Sequence, residues 1–224
     1  MLTIEKTVLP SPEQWEIIIE GMRNPMNSWD KSDSEVGDFN RYFYLGKADR
    51  QLMTNLAKGG AVHAKYRRMI PVFLTINAPL YWWKEFDTYK VGTVANSCST
   101  MHKIHSKEFT MGDFSCEHLM LTPDGWVTDN SDQKWCDPLT TLETLKNTLN
   151  ACRDLYLNTK DKAWWWQMIQ LLPTSYNQKR TVMLNYEVLV NIYHSRKSHK
   201  LDEWHTFCDW IEGLPYSELI TGEV

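Results

Sequence analysis

The chain has 224 residues, 42% of them hydrophobic and 23% charged, enough to bury a sizeable core without metals or disulfides. A net charge of −4 argues against binding duplex nucleic acid, which needs a basic face, although KYRRM (Lys65 to Met69) and HSRKSHK (His194 to Lys200) are local exceptions. The five cysteines lack CxxC spacing and read as reduced thiols, no zinc pattern exists, and no stretch reads as a signal peptide or membrane span, so no membrane partner and a cytoplasmic location are expected.

Leu2 to Val8 alternates apolar and polar residues and predicts a strand. In SPEQWEIIIEGM, Ser11 caps, Pro12 suits the first helical position and Gln14 completes a capping box, so a helix runs to about Met22. RNPMNSWDKSDSEVGD is polar, broken by proline, and reads as loop. Asp38 to Lys58 holds a second helix stopped by KGG. Arg68 to Ile76 is a buried strand interrupted by Pro71, and Ala78-Pro79 starts a helix through about Phe86. The following VGTVANSCST is rich in small polar residues, the kind that line a pocket.

Lys107 to Cys136 has strand-like pieces around the turn signal PDGW and reads as a hairpin or an insertion. Asp137-Pro138 opens a helix whose Leu142, Leu145, Leu149 and Cys152 recur at helical spacing to about Leu157. Asp161 to Leu172 is a helix ended by Pro173. Asn185 to His199 and Leu201 to Glu212 are the last two. Strands and helices are interspersed, which predicts a single mixed α+β domain over residues 1–224, with an antiparallel sheet packed with helices and a hairpin insertion at about 107–136. Eleven tryptophans point to half-buried walls or subunit contacts.

The helix NYEVLVNIYHSR carries the sharpest chemical signal. At about 100° per residue, Asn185, Ile192 and Arg196 fall within roughly 20° of one line, with Leu189 close by. An amide and a guanidinium thus share a face with apolar residues. A buried Arg must find an anion or several acceptors. An internal salt bridge to Glu187, Asp202 or Glu203 supplies one answer. The other is an oxyanion or base-edge clamp, for which the planar fork of donors is suited.

The stretch LLPTSYNQKRTVMLNYEVLVNIYHSR resembles the C-terminal half of flavin-dependent thymidylate synthases. That family spaces a Leu-Pro pair, two asparagines and an arginine as Pro173, Asn185, Asn191 and Arg196 are spaced here. INAPLYWW resembles the family's apolar strand leading into a helix, and EGMRNPMNSW its N-terminal turn. The segment after Phe86 sits where the family carries RHRxxSxNExSxRY, and it departs from that pattern. Thr88, Tyr89 and Lys90 fall on the RHR triplet. After one extra residue, Thr93, Asn96 and Ser99 fall on its Ser, Asn and later Ser, while Ser97, Met101 and His102 replace its Glu, Arg and Tyr. The family's histidine before the strand falls near Arg68, with His63 five residues earlier.

The resemblance implies a flavin-dependent thymidylate synthase-like fold. It also implies transfer of a one-carbon unit from methylenetetrahydrofolate to C5 of dUMP, with FAD carrying hydride from NADPH. On that footing Arg196 and Ser99 are the expected catalytic residues and, with Thr93, contact the nucleotide. Asn185, Asn191, Lys90 and Asn96 are the expected cofactor contacts, and no metal is expected. The family builds its sites between subunits, so a homotetramer is expected. A related flavoenzyme or nucleotide-modifying enzyme with a different substrate, or a non-catalytic nucleotide- or protein-binding protein on the same fold, are the alternatives, because the charged handles are the residues that changed.

Overall fold

The computed structural model describes residues 1–37 and 41–222. Strand β1 (Thr3–Val8) leads into helix α1 (Pro12–Arg23), and the predicted capping box is present. The Gln14 backbone N–H donates to Ser11 Oγ at 3.3 Å, and the Ser11 backbone N–H donates to Gln14 Oε1 at 2.8 Å. These reciprocal bonds satisfy two donors that the first turn otherwise leaves open. The predicted loop after α1 holds two short 3-10 turns, Asn24–Met26 and Trp29–Lys31. Strand β2 (Glu35–Val36) then pairs antiparallel with β3 (Phe43–Tyr44).

Helix α2 runs over Lys47–Lys58. The helix expected from Asp38 therefore begins later, and its first three predicted residues, 38–40, lie outside the described residues. Gly46 is the N-cap and Gly59 the C-cap. Strand β4 (Pro71–Pro79) starts at Pro71 rather than being broken by it, and Lys65–Met69 ahead of it is a 3-10 turn. Pro at the first strand position removes no interior ladder bond. Helix α3 covers Leu80–Phe86, so Ala78-Pro79 belongs to the strand. Strand β5 (Val94–Ser97) follows.

A hairpin of β6 (Trp126–Thr128) and β7 (Lys134–Cys136) pairs Val127 with Trp135. PDGW leads into β6, with Trp126 its first residue, and the hairpin reverses instead at 129–133, where Asp129 accepts hydrogen bonds from Ser131, Gln133 and Trp135. Helix α4 (Pro138–Thr159) is capped by Asp137, which accepts from Thr140 N at 2.7 Å; helix α5 (Lys162–Leu171) is capped by Asp161. Strand β8 (Asn177–Asn185) was not legible beforehand. Only Val182 and Leu184 supply its apolar alternation, and Gln178 and Arg180 continue that face with polar groups. Helices α6 (Tyr186–Arg196), α7 (Asp202–Glu212) and α8 (Glu218–Thr221) complete the chain.

The architecture is α+β, with an antiparallel sheet in the order β1-β4-β8-β5. The residues gather into two compact units. One comprises Met1, Asn77–Phe86 and Ser97–Lys179; the other comprises Leu2–Ile76, Asp87–Asn96 and Arg180–Val224. The core of the first holds Phe109, Phe114, Leu142, Leu149, Cys152 and Met168. The core of the second is built from α1, β4, β8, α6 and α7, with Ile18, Leu74, Leu184, Leu189, Ile192 and Trp204 buried. Burial of such side chains contributes about 1.5–3 kcal/mol each relative to exposure. No helix among the described residues is long and apolar enough to cross a membrane.

Candidate functional site

In the second unit the segment Asp87–Asn96 lies against α6 and α7, and Arg196 is at its centre. The Arg196 guanidinium donates from Nε to Tyr89 Oη at 2.9 Å. Its central carbon lies 4.8 Å from the Trp204 ring centre and 5.6 Å from that of Tyr89. The two rings meet edge to face at 6.1 Å. Cation–π contacts of this kind contribute about 0.5–2 kcal/mol, more when water is excluded. Trp204 is fully buried and Arg196 half-buried, so the aromatic wall fixes the plane of the guanidinium.

Asn185 caps α6. Its Oδ1 accepts from Val188 N at 3.1 Å, which satisfies one open donor and anchors the helix start. Gly92, at φ +82°, brings the 87–96 backbone close to that cap. A Cβ at Gly92 would stand 3.1 Å from both Asn185 Nδ2 and Val188 Cγ2. Only glycine combines this left-handed conformation with so near an approach. One residue on, Thr93 Oγ1 is buried and has no hydrogen-bond partner among the described residues. A buried hydroxyl without a partner costs about 1–3 kcal/mol, and a ligand group or water resolves that cost.

The structure brings Arg196, Asn185, Thr93, Lys90 and Asn96 into this one unit. Lys90 and Asn96 are exposed. Asn191 is exposed too, and lies about 140° round α6 from Arg196, so the family interval places it on another side of the helix. Ser99 belongs to the first unit. There its Oγ accepts from His102 N at 2.8 Å and Met101 N at 3.3 Å, closing a turn. Nearby, Cys98 N donates to Lys179 O, Gln178 Nε2 donates to Cys98 O, and Trp83 Nε1 donates to Gln178 O, fixing the backbone after β5. Tyr89, Gly92 and Trp204 are site residues that sequence reasoning missed. The trace of Tyr89 was its fall on the RHR triplet, and that of Gly92 a VGT that matches no phosphate-loop fingerprint.

A flavin dinucleotide can be tested against these side chains. Its diphosphate demands cations or a row of backbone donors. At the three triplet positions Thr88 is uncharged, Tyr89 is bonded to Arg196, and Lys90 alone is cationic and exposed. Arg180 is paired with Asp87 at 2.7 Å. The triplet positions do not by themselves fit a diphosphate.

The fold is similar to that of solved flavin-dependent thymidylate synthases and of a UMP/dUMP methylase. Thymidylate synthase X from Helicobacter pylori, solved with FAD and dUMP, is similar over 99% of this chain and 96% of its own, with a TM-score of 0.63 and 16% identity. A second structure of that enzyme with FAD and dUMP gives 0.61 and 14%, over 99% and 97%. The UMP/dUMP methylase PolB from Streptomyces cacaoi, bound with 5-Br UMP, gives 0.62 and 12%, over 99% and 95%. At these identities the likeness is one of fold. No family model matches the sequence, and no curated protein matches it.

Proposed function

We propose that this protein binds a pyrimidine nucleotide of the uridylate type, with Arg196 reading the base. The observation that carries this is the Arg196 guanidinium, held in plane by Tyr89 and Trp204 beside the Asn185 cap and the unpartnered Thr93 hydroxyl. Arg offers its donors as a rigid fork, and a uracil edge offers carbonyl acceptors in one plane. Gly92 keeps the loop backbone low over the cap. Thr93 lines the nucleotide, and Lys90 and Asn96 stand at the solvent side. The solved proteins of this fold that hold dUMP or a bromo-UMP support the ligand class.

Thymidylate synthesis with FAD, NADPH and methylenetetrahydrofolate is the full reaction that the likeness implies. The side chains here supply its nucleotide-reading part and not the charges of a flavin diphosphate, so no flavin step is assigned. Calorimetric titration with dUMP tests the proposal. Saturable binding is expected, and Arg196→Lys, which keeps the charge but loses the fork, weakens it by about tenfold or more. Equal affinity in the two proteins, or no binding of dUMP or UMP, rejects it. FAD titrated in parallel, followed by flavin fluorescence, leaves the emission unchanged; flavin uptake together with dTMP formation establishes the complete transfer reaction instead.

A further inference from the structure

On a different side of α6 lies a cavity of about 270 Å³, lined by Thr54, Lys58, Arg67, Val190, His194 and Glu218 among others. His194 is roughly 200° round the helix from Arg196, so this is not the face that reads the base. The cavity lies wholly within the second unit. Its defining group is Arg67, whose side chain is 9% exposed. The nearest carboxylate is that of Glu187, with N and O 3.9 Å apart, beyond hydrogen-bond reach. Arg67 Nε and Glu187 Oε2 are both buried without a hydrogen-bond partner. Glu218, the other acid at the wall, is held by Arg50 at 2.7 Å. Lys58 and His194 stand at the exposed rim.

A buried guanidinium carries five donors and demands acceptors. Here the nearest carboxylate stands too far to accept a hydrogen bond, the Tyr66 hydroxyl beside it is the acceptor at hand, Nε is left without a partner, open volume adjoins it, and two further basic groups line the same space. We propose that this cavity is a site for a small oxyanion, the phosphate or carboxylate group of a small molecule, with Arg67 as the buried reader and Lys58 and His194 at the mouth. A tetrahedral or planar oxyanion fits the volume and gives Arg67 the short acceptors that Glu187 does not.

The test is calorimetric titration of the full chain with inorganic phosphate and, separately, acetate, in chloride buffer of fixed ionic strength. Saturable binding of at least one probe is expected. Phosphate alone identifies a phosphate ester as the source, and acetate a carboxylate. Lys58→Ala and His194→Ala weaken the bound probe by about threefold to tenfold each. Arg67→Met combined with Glu187→Leu, which leaves neither charge buried alone, abolishes binding. Arg196→Lys leaves probe affinity unchanged, which separates this cavity from the nucleotide site. Absence of saturable binding by both probes overturns the proposal. So does unaltered affinity in the rim variants, which remain informative should the double variant not fold.

Discussion

At the scale of single residues, Arg196 packs on Trp204 and bonds Tyr89, and it is also the residue proposed to read the nucleotide. Its stack on Trp204 and its bond to Tyr89 lie within the chain, so removing it affects stability as well as binding. Tyr89→Phe keeps the ring and deletes the hydroxyl. It is expected to lower apo stability by about 1 kcal/mol and, by removing one bond that orients the guanidinium, to reduce dUMP affinity severalfold; urea melts and titration of the same preparation check both. Unchanged affinity with lowered stability would mean that Tyr89 only packs. A second residue-scale case is Asp49, fully buried in the second unit. Burial pushes its carboxyl up, but hydrogen bonds from Ser34, Ser32 and Arg23, with the Arg23 charge, outweigh burial and hold it below the ordinary value. Arg23 Nε stands 2.5 Å from Asp49 Oδ1. A group depressed in the folded state stabilises above its unfolded value, about pH 4, and loses that contribution as pH falls through the folded one. Stability measured from pH 7 downward should therefore drop in acid. Asp49→Asn should flatten that drop and cost about 3–5 kcal/mol at neutral pH by leaving Arg23 buried alone.

At the scale of elements, the helix caps were the most legible features, because capping is chemistry between near neighbours in the chain. Ser11 with Gln14, and Asp137 before Pro138, declare their helices in the sequence, and the bonds are there. Asn185 was legible as a spacing and proves to be a cap, with the 87–96 segment pressed on it through Gly92. Gly92→Ala adds a Cβ 3.1 Å from the cap and strains a positive φ. It is expected to destabilise by about 1 kcal/mol or more and to weaken dUMP binding, while Gly125→Ala, also at positive φ but with open space around it, leaves dUMP affinity as it was. Paired titrations of the two variants separate a local effect on the site from a general cost of strain. β5 is the opposite case. All four of its residues are exposed, no alternation marks it, and only its place beside β8 makes it a strand.

At the scale of the whole molecule, exposed apolar groups remain on several elements. Phe73 of β4 is 47% exposed and Val94 of the sheet-edge strand β5 61%. Single exposed side chains do not by themselves mark an interface; we propose a homo-oligomer, a tetramer, on the family resemblance of the sequence. Sedimentation should give a species well above the 26.4 kDa of one chain; a lone monomer at micromolar concentration counts against it. The sequence by itself determined the α+β class, the positions of α1 and of α4 to α7, and the helix that carries Arg196. Those rest on local periodicity and capping, which act over a few residues. It also determined that the charged triplet was gone. What stands in its place, only the tertiary structure decided. Tyr89 meets Arg196 across 107 residues, β8 is a strand because the sheet pairs it, and Arg67 lies beside a cavity with a carboxylate just out of reach. Such contacts depend on which faces the fold brings together, and no neighbouring residue in the chain encodes them.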